Sequence, residues 1–313
     1  MNGKRLAVID IGTNTLLCLI VELVNGGRFA VLDDLAEITR LGEGVDRTGR
    51  ISPEGERRTL EALRHYVDRC QELGVEEIFA GGTSALRDAA NSREVRERLE
   101  REFGIEARVL SGEEEAGYSY LAVQRGLNLS AQDLLVIDIG GGSTEFIWGK
   151  ENGAYRWSSL DIGSVRLTER FLHSDPVRDE ECRAMIETID AAIKNLFDRW
   201  GPCDGLTLVG IAGTCTTLAA VEKQLKCYSH SEVHGSLLSR GEIARQIRLY
   251  REKSVAQRRQ IVGLEPKRAD VILAGAYVLE RIMAALRAEQ LIVSDQGVRY
   301  GLLYERLDQL RSC

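Results

Sequence analysis

Two short stretches repeat an arrangement of groups that could handle an anion and a cation together. Val8-Ile9-Asp10-Ile11-Gly12 and Val136-Ile137-Asp138-Ile139-Gly140 share the string VIDIG, 128 residues apart. Each runs from apolar residues through an aspartate into a small-residue turn. The turns are Gly12-Thr13-Asn14-Thr15 in the first copy and Gly140-Gly141-Gly142-Ser143 in the second. A strand ending in such a turn can present backbone N–H groups with no Cβ in the way, and that nest suits phosphate oxygens. Thr13, Asn14 and Ser143 add side-chain donors. Asp10 and Asp138, at the strand ends, repel phosphate directly but can hold Mg2+ or a metal-bound water that bridges to it. Two copies with one leader point to two related units gripping opposite sides of a phosphorylated ligand. Rival nucleotide signatures are missing: there is no G-x-x-x-x-G-K-[ST], and no G-x-G-x-x-G opens a helix after a strand.

Further groups with chemical potential lie elsewhere. Glu113-Glu114-Glu115 opens a helix, where carboxylates suit the positive end of the dipole and could equally supply a base. Glu145 follows Asp138 by seven residues, on the far side of the second turn. Arg87 follows a strand and a small-residue turn. Residues 240–268 hold nine Lys/Arg against three Glu, a local +6 that is either a set of solvated helix faces or an attractor for a polyanion; Arg268 closes it.

Positioning these groups falls to alternating strands and helices, which read as an α/β fold. Leu6–Ile11 is an apolar strand, and Leu16–Leu23 with Arg28–Leu32 forms a hairpin around Asn25-Gly26-Gly27. Ser52-Pro53 starts a helix whose apolar face is Leu60, Leu63, Val67 and Cys70, ending at Gly74. Val75–Ala80 is a strand, a helix with Val95, Leu99 and Phe103 stops at Gly104, and Ile105–Leu110 is a strand. Ser111-x-x-Glu114 is a capping box for the next helix, which ends near Gly126. The stretch GLNLSAQD then reads as a linker, placing one domain at 1–125 and a second at 126–313. The second restarts with strand Leu134–Ile139 and a hairpin of Glu145–Gly149 and Tyr155–Leu160 closed by Asn152-Gly153. A strand from Leu206 enters a turn at Gly213 and a helix. A long helix after Pro266, strand Leu291–Ser294 and a short helix finish the chain.

At 313 residues, with 44% hydrophobic and 28% charged residues, the chain suits about two ordinary domains. A net charge of −7 disfavours nucleic acid as a partner, and no apolar stretch approaches the ~20 residues of a membrane span. Asp10 interrupts the apolar run nearest the N-terminus, which disfavours a secretory signal. Seven cysteines without a C-x-x-C pair suit the reducing cytoplasm. Four scattered histidines lack metal-ligand spacing.

DIGTNT and DIGGGSTE together resemble the actin-like ATPase superfamily and, more narrowly, the exopolyphosphatase/guanosine pentaphosphate phosphohydrolase (Ppx/GppA) family. In order, TSALRDAANS (83–92), SGEEEAGY (111–118), GSVRLTERFL (163–172), GIAGTCTTLAA (210–220), EVHG (232–235) and SDQGVRYGLL (294–303) are similar to stretches of that family. The resemblance implies two actin-like (ribonuclease H-like) domains with the active site in an interdomain cleft. It also implies a Mg2+- or Mn2+-dependent phosphohydrolase acting on polyphosphate or guanosine pentaphosphate, and a homodimer. Glu115, before the alanine of EEA, matches the general base. Asp138 and Glu145 match acidic residues assigned to the metal and the attacking water; Arg87 matches a phosphate-contacting arginine, and Arg268 is a weaker match of the same kind. A sugar or acid kinase of the same superfamily, or a non-catalytic sensor of guanosine tetra- or pentaphosphate, is the alternative. Many members carry Arg-Glu-Gly where this chain has Arg299-Tyr300-Gly301, and longer members continue into helical domains beyond the last shared motif. Without those, the expectation is distributive cleavage with a preference for short polyphosphates.

Overall fold

The computed structural model describes residues 3–24, 28–129, 134–149, 155–201, 203 and 205–312. The turns expected at Asn25-Gly26-Gly27 and Asn152-Gly153, and the end of the expected linker, lie outside these described residues. The chain divides into two compact units, 1–122 with 298–313, and 123–297.

The first unit is built from β1 (Arg5–Ile11), β2 (Thr15–Val24), β3 (Arg28–Ile38), α1 (Val45–Thr48), α2 (Pro53–Glu72), β4 (Glu77–Gly82), α3 (Ser84–Asp88), α4 (Ser92–Phe103), β5 (Ala107–Val109) and α5 (Gly112–Gly126), of which the last turn passes into the second unit. Its sheet order is β3-β2-β1-β4-β5, with β1 antiparallel to β2 and parallel to β4. Local signals set the helix starts. Ser52 Oγ accepts from Gly55 N at 3.0 Å, with Pro53 at the first helical position. At α5, Glu114 N donates to Ser111 Oγ and Ser111 N to Glu114 Oε2, the reciprocal box read from the sequence. The two-residue period of β1 sends Ala7, Ile9 and Ile11 into a core with Leu63 and Tyr66 of α2. Leu6 and Val8 face the opposite core, and Asp10 follows them in the alternation.

The second unit comprises β6 (Leu134–Ile139), β7 (Thr144–Gly149), β8 (Tyr155–Leu160), α6 (Ser164–Phe171), α7 (Asp179–Trp200), β9 (Thr207–Ile211), α8 (Ala212–Glu222), α9 (His230–Val233), β10 (Leu237–Ser239), α10 (Arg240–Arg251), α11 (Val255–Arg258), a 3-10 turn at Pro266–Arg268, α12 (Ile272–Ala285) and β11 (Gln290–Val293). Its sheet order, β10-β11-β9-β6-β7-β8, repeats that of the first unit from β8 to β11 and adds β10 as an antiparallel edge. The α/β class therefore takes the form of one topology used twice. Helix α7, unassigned from the sequence, buries Cys182, Met185, Ile189, Ile193 and Leu196 at helical spacing.

One boundary needs correction. The sequence reading gave 126–313 wholly to the second domain, but the last helix, α13 (Val298–Ser312), belongs to the first unit. Its Tyr300, Leu303 and Leu307 pack with Ala122 of α5 over Leu6, Val8 and Leu19, an apolar sheet face.

Candidate functional site

The two VIDIG hairpins are superimposable in their pairing. Asp10 stands opposite Leu17 and Asp138 opposite Glu145, on antiparallel neighbours. Gly12 N donates to Thr15 O at 3.1 Å, and Gly140 N to Ser143 O at 3.0 Å. A Cβ on Gly12 would come within 2.7 Å of Thr15 O, which explains the glycine in the first turn; at Gly140 the corresponding approach is 3.3 Å.

In each turn the carbonyls are tied back. Gly42 N donates to Thr13 O at 2.9 Å and Arg40 N to Asn14 O at 3.0 Å. In the second turn the donors come from the start of α6. Ser164 N reaches Gly140 O at 2.9 Å, Val165 N and Arg166 N reach Gly141 O at 2.9 and 3.1 Å, and Gly163 N reaches Gly142 O at 3.2 Å. Because a trans peptide sets C=O and N–H on opposite edges, the amides of Gly141, Gly142 and Ser143 face away from α6. None of these three amides donates to another described backbone group. The arrangement is a nest for an anion.

Around the first turn, Thr83 N donates to Ile11 O at 3.2 Å, setting α3 beside it. Arg87 of α3 reaches α5: its Nη1 lies 3.0 Å from Glu115 Oε2 and 3.1 Å from Leu110 O. The three glutamates of α5 have thereby separated. Glu114 caps the helix and pairs with Arg108, Glu113 is exposed, and the Glu115 side chain is only 12% exposed against Arg87.

Asp10 is buried, and its Oδ1 finds no hydrogen-bond partner among the described residues. Burial pushes its carboxyl up to about 6, with the positive charge of Arg299 pulling the other way. Arg299 itself is buried in a two-point pair with Asp34, at 3.1 and 3.0 Å, and Tyr300 Oη donates to the same carboxylate at 3.2 Å. The Tyr300 hydroxyl thus completes a cluster in which the Asp34 and Arg299 charges offset each other.

In the second unit, Glu145 is buried and accepts from Ser159 Oγ at 2.7 Å, while Asp138 is half-buried. Thr214 Oγ1 donates to Ile139 O at 3.4 Å, tying α8 to the second turn. Arg268 lies flat on the start of α8, where a Cβ on Gly213 would fall 2.2 Å from the guanidinium. No group of three or more His, Cys, Asp or Glu side chains converges as a cation cage among the described residues. The expected metal residues therefore stand as the opposed pair Asp138 and Glu145, with Asp10 in the other unit.

The basic stretch is less available than its charge implied. Arg240 pairs with Glu289, Arg245 with Glu242 and Arg251 with Asp179, and Arg258 is buried against the Tyr250 and Ala269 carbonyls. Sequence reading missed Gly42, Gly163 and Arg166, which shape the turns from behind. A glycine just before an amphipathic stretch was the available signal for Gly163.

Residues 19–310 match the family model described as the Ppx/GppA phosphatase family. The chain belongs to the Ppx/GppA phosphatase family. It is 34% identical to exopolyphosphatase 2 of Mycobacterium tuberculosis, over 95% of this chain and 97% of that protein. The crystal structure of the Aquifex aeolicus Ppx/GppA family member is 34% identical, with a TM-score of 0.81 over 98% of both chains. The guanosine-5'-triphosphate,3'-diphosphate pyrophosphatase of Vibrio parahaemolyticus is 29% identical over 97% of this chain, which spans 60% of that relative. The duplicated α/β topology is thus the two-domain, actin-like fold of Ppx/GppA proteins. Ppx/GppA phosphatases generally depend on a divalent metal. No helix among the described residues is long and apolar enough to cross a membrane.

Proposed function

We propose that this Ppx/GppA chain hydrolyses the terminal phosphoanhydride of inorganic polyphosphate, the 5′-terminal phosphate of guanosine pentaphosphate, or both, with water as the acceptor. The observation that carries the reading is the pair of hairpin turns whose carbonyls are tied back, the second with the amides of Gly141, Gly142 and Ser143 facing away from α6. Relatives named for each substrate, at 34% and 29% identity, support the same class of reaction.

Three sets of residues would divide the work. Thr13 and Asn14 in one turn, and Gly141, Gly142 and Ser143 in the other, would hold non-bridging phosphate oxygens through N–H and side-chain donors, with Gly12 and Gly140 closing the turns through their bonds to Thr15 O and Ser143 O. Arg87 and Arg268 would add guanidinium contacts. Glu115 would accept a proton as the water oxygen attacks the terminal phosphorus in line; the bond from phosphorus to the bridging oxygen breaks, and the shortened chain keeps that electron pair. The contact from Arg87 keeps the Glu115 carboxylate in one orientation.

Mg2+ or Mn2+ fits the acidic groups. The buried, unpartnered Asp10 Oδ1 lacks the positive charge that a hard dication brings, and carboxylates with phosphate and water are the ligands Mg2+ favours. Asp138 and Glu145 would hold it in the second unit, and Asp10 would serve in the first. When bound, such an ion neutralises charge on the phosphoryl oxygens.

Four of the nine cations in 240–268 are committed to acids or buried, which weakens this stretch as a grip on a distal phosphate. A preference for short polyphosphates follows as part of the proposal. A cytoplasmic homodimer without nucleic-acid partners completes it, on the strength of the thiol content, the net negative charge and the family likeness. The test is orthophosphate release from polyphosphate and from guanosine pentaphosphate, measured side by side. Transfer from ATP to a sugar or acid without free phosphate would indicate a kinase instead, and tight binding without release a sensor.

A further inference from the structure

The first residues of the stretch 163–172 are joined to the second turn by more of the described hydrogen bonds than any other segment. Arg166 contributes twice. Its backbone N donates to Gly141 O at 3.1 Å, and its Nε donates to Gly142 O at 2.6 Å. The guanidinium is 24% exposed and its Nη2 stands 3.4 Å from Asp161, a carboxylate 84% exposed to solvent. Asp161 therefore screens the arginine only weakly. Gly163 makes the contact possible: a Cβ there would sit 2.3 Å from Gly141 O and 2.4 Å from Ser143 N.

The first turn offers a control within the same chain. Its carbonyls are held by the backbone N–H groups of Arg40 and Gly42, with no helix start and no side-chain cation among those donors. The second turn is backed by a guanidinium on the Gly142–Ser143 peptide. A cation donating to that carbonyl draws electron density along the peptide and strengthens the Ser143 N–H as a donor on the opposite edge. It also fixes the peptide plane, so the amide needs no reorientation when an anion arrives.

We propose that Arg166 is a positioning residue for phosphate binding: through Gly142 O, it holds and polarises the peptide whose N–H faces the ligand. The inference rests on the second turn binding phosphate, as proposed above.

The test compares wild type, Arg166→Lys and Arg166→Gln. One readout is calorimetric binding of methylenediphosphonate, whose P–C–P bridge cannot be hydrolysed. The other is kcat and KM for tripolyphosphate. Loss of a charged hydrogen-bond partner should weaken binding by about ten-fold or more in the glutamine variant, with KM rising by a similar factor and kcat changing less. Lysine, which keeps the charge but not the Nε geometry, should recover part of the loss. Gly163→Ala, which pushes α6 off the turn, should weaken the same binding with Arg166 intact. Binding by Arg166→Gln or, should that variant not fold, by Arg166→Lys, at wild-type affinity would overturn the inference. Wild-type protein that neither binds the diphosphonate nor releases phosphate would instead overturn the proposed function, so the two failures are distinct.

Discussion

Arg87 and Glu115, 28 residues apart in the chain, meet at 3.0 Å across the start of α5. An arginine that only gripped substrate would affect binding, but this one also orients the proposed base. Arg87→Ala should therefore lower kcat for phosphate release by about ten-fold or more as well as raise KM. Arg87→Lys should recover only part, because the ammonium lacks the planar guanidinium whose Nη1 reaches both Glu115 and the Leu110 carbonyl. Steady-state kinetics on all three proteins decides; an unchanged kcat in the alanine variant would return Arg87 to a purely binding role.

Burial of Asp10 has a signature in stability. Its carboxyl is pushed from the ordinary 3.8 up to about 6, so between those pH values the folded protein holds a proton that the unfolded chain has released. Stability from this group is present at low pH and falls as pH rises through about 6, by roughly 3 kcal/mol in all for a shift of this size. Denaturant titrations in EDTA between pH 4 and 7.5 should show wild type losing stability relative to Asp10→Asn. Added Mg2+ should restore wild type more than the variant. Parallel curves would remove the case for Asp10 as an uncompensated buried acid.

Metal dependence should separate by position. Activity should vanish in EDTA, and Asp138→Asn should raise the Mg2+ concentration needed for half-maximal rate, since an amide is a poorer ligand for a hard cation. Full activity in chelator would refute the metal role of Asp138 and Glu145 together.

The repeated hairpins are equal in pairing but unequal in tolerance. Gly12→Ala should cost about 1–3 kcal/mol, because the new Cβ meets backbone oxygen at 2.7 Å, whereas Gly140→Ala, at 3.3 Å, should be milder. Thermal melts of both variants test the order; equal losses would contradict it.

Features governed by nearest neighbours were legible in the sequence. The strand period, the glycine turns, the Ser52 and Ser111 caps and the two-fold VIDIG leader are each decided within a few residues. What escaped depends on docking between distant segments. Nothing in the spacing of Arg87 and Glu115 reveals that they touch. Likewise, α13 lies beyond the whole second unit, and only the apolar face of β1 and β2 that it covers explains its return. The charge of 240–268 was visible, but its neutralisation by Glu289 and Asp179, and the burial of Arg258, were not. Helix α7, by contrast, carries its period openly, with Cys182, Met185, Ile189, Ile193 and Leu196 at helical spacing.

The central claim is that Glu115 activates water against a terminal phosphate. Its most direct test is orthophosphate release from tripolyphosphate and guanosine pentaphosphate by wild type and Glu115→Gln, with diphosphonate binding measured on both. The account predicts release by wild type from at least one substrate, a loss of about 10²–10⁴-fold in the variant, and binding that survives. Near-normal turnover by Glu115→Gln would contradict it.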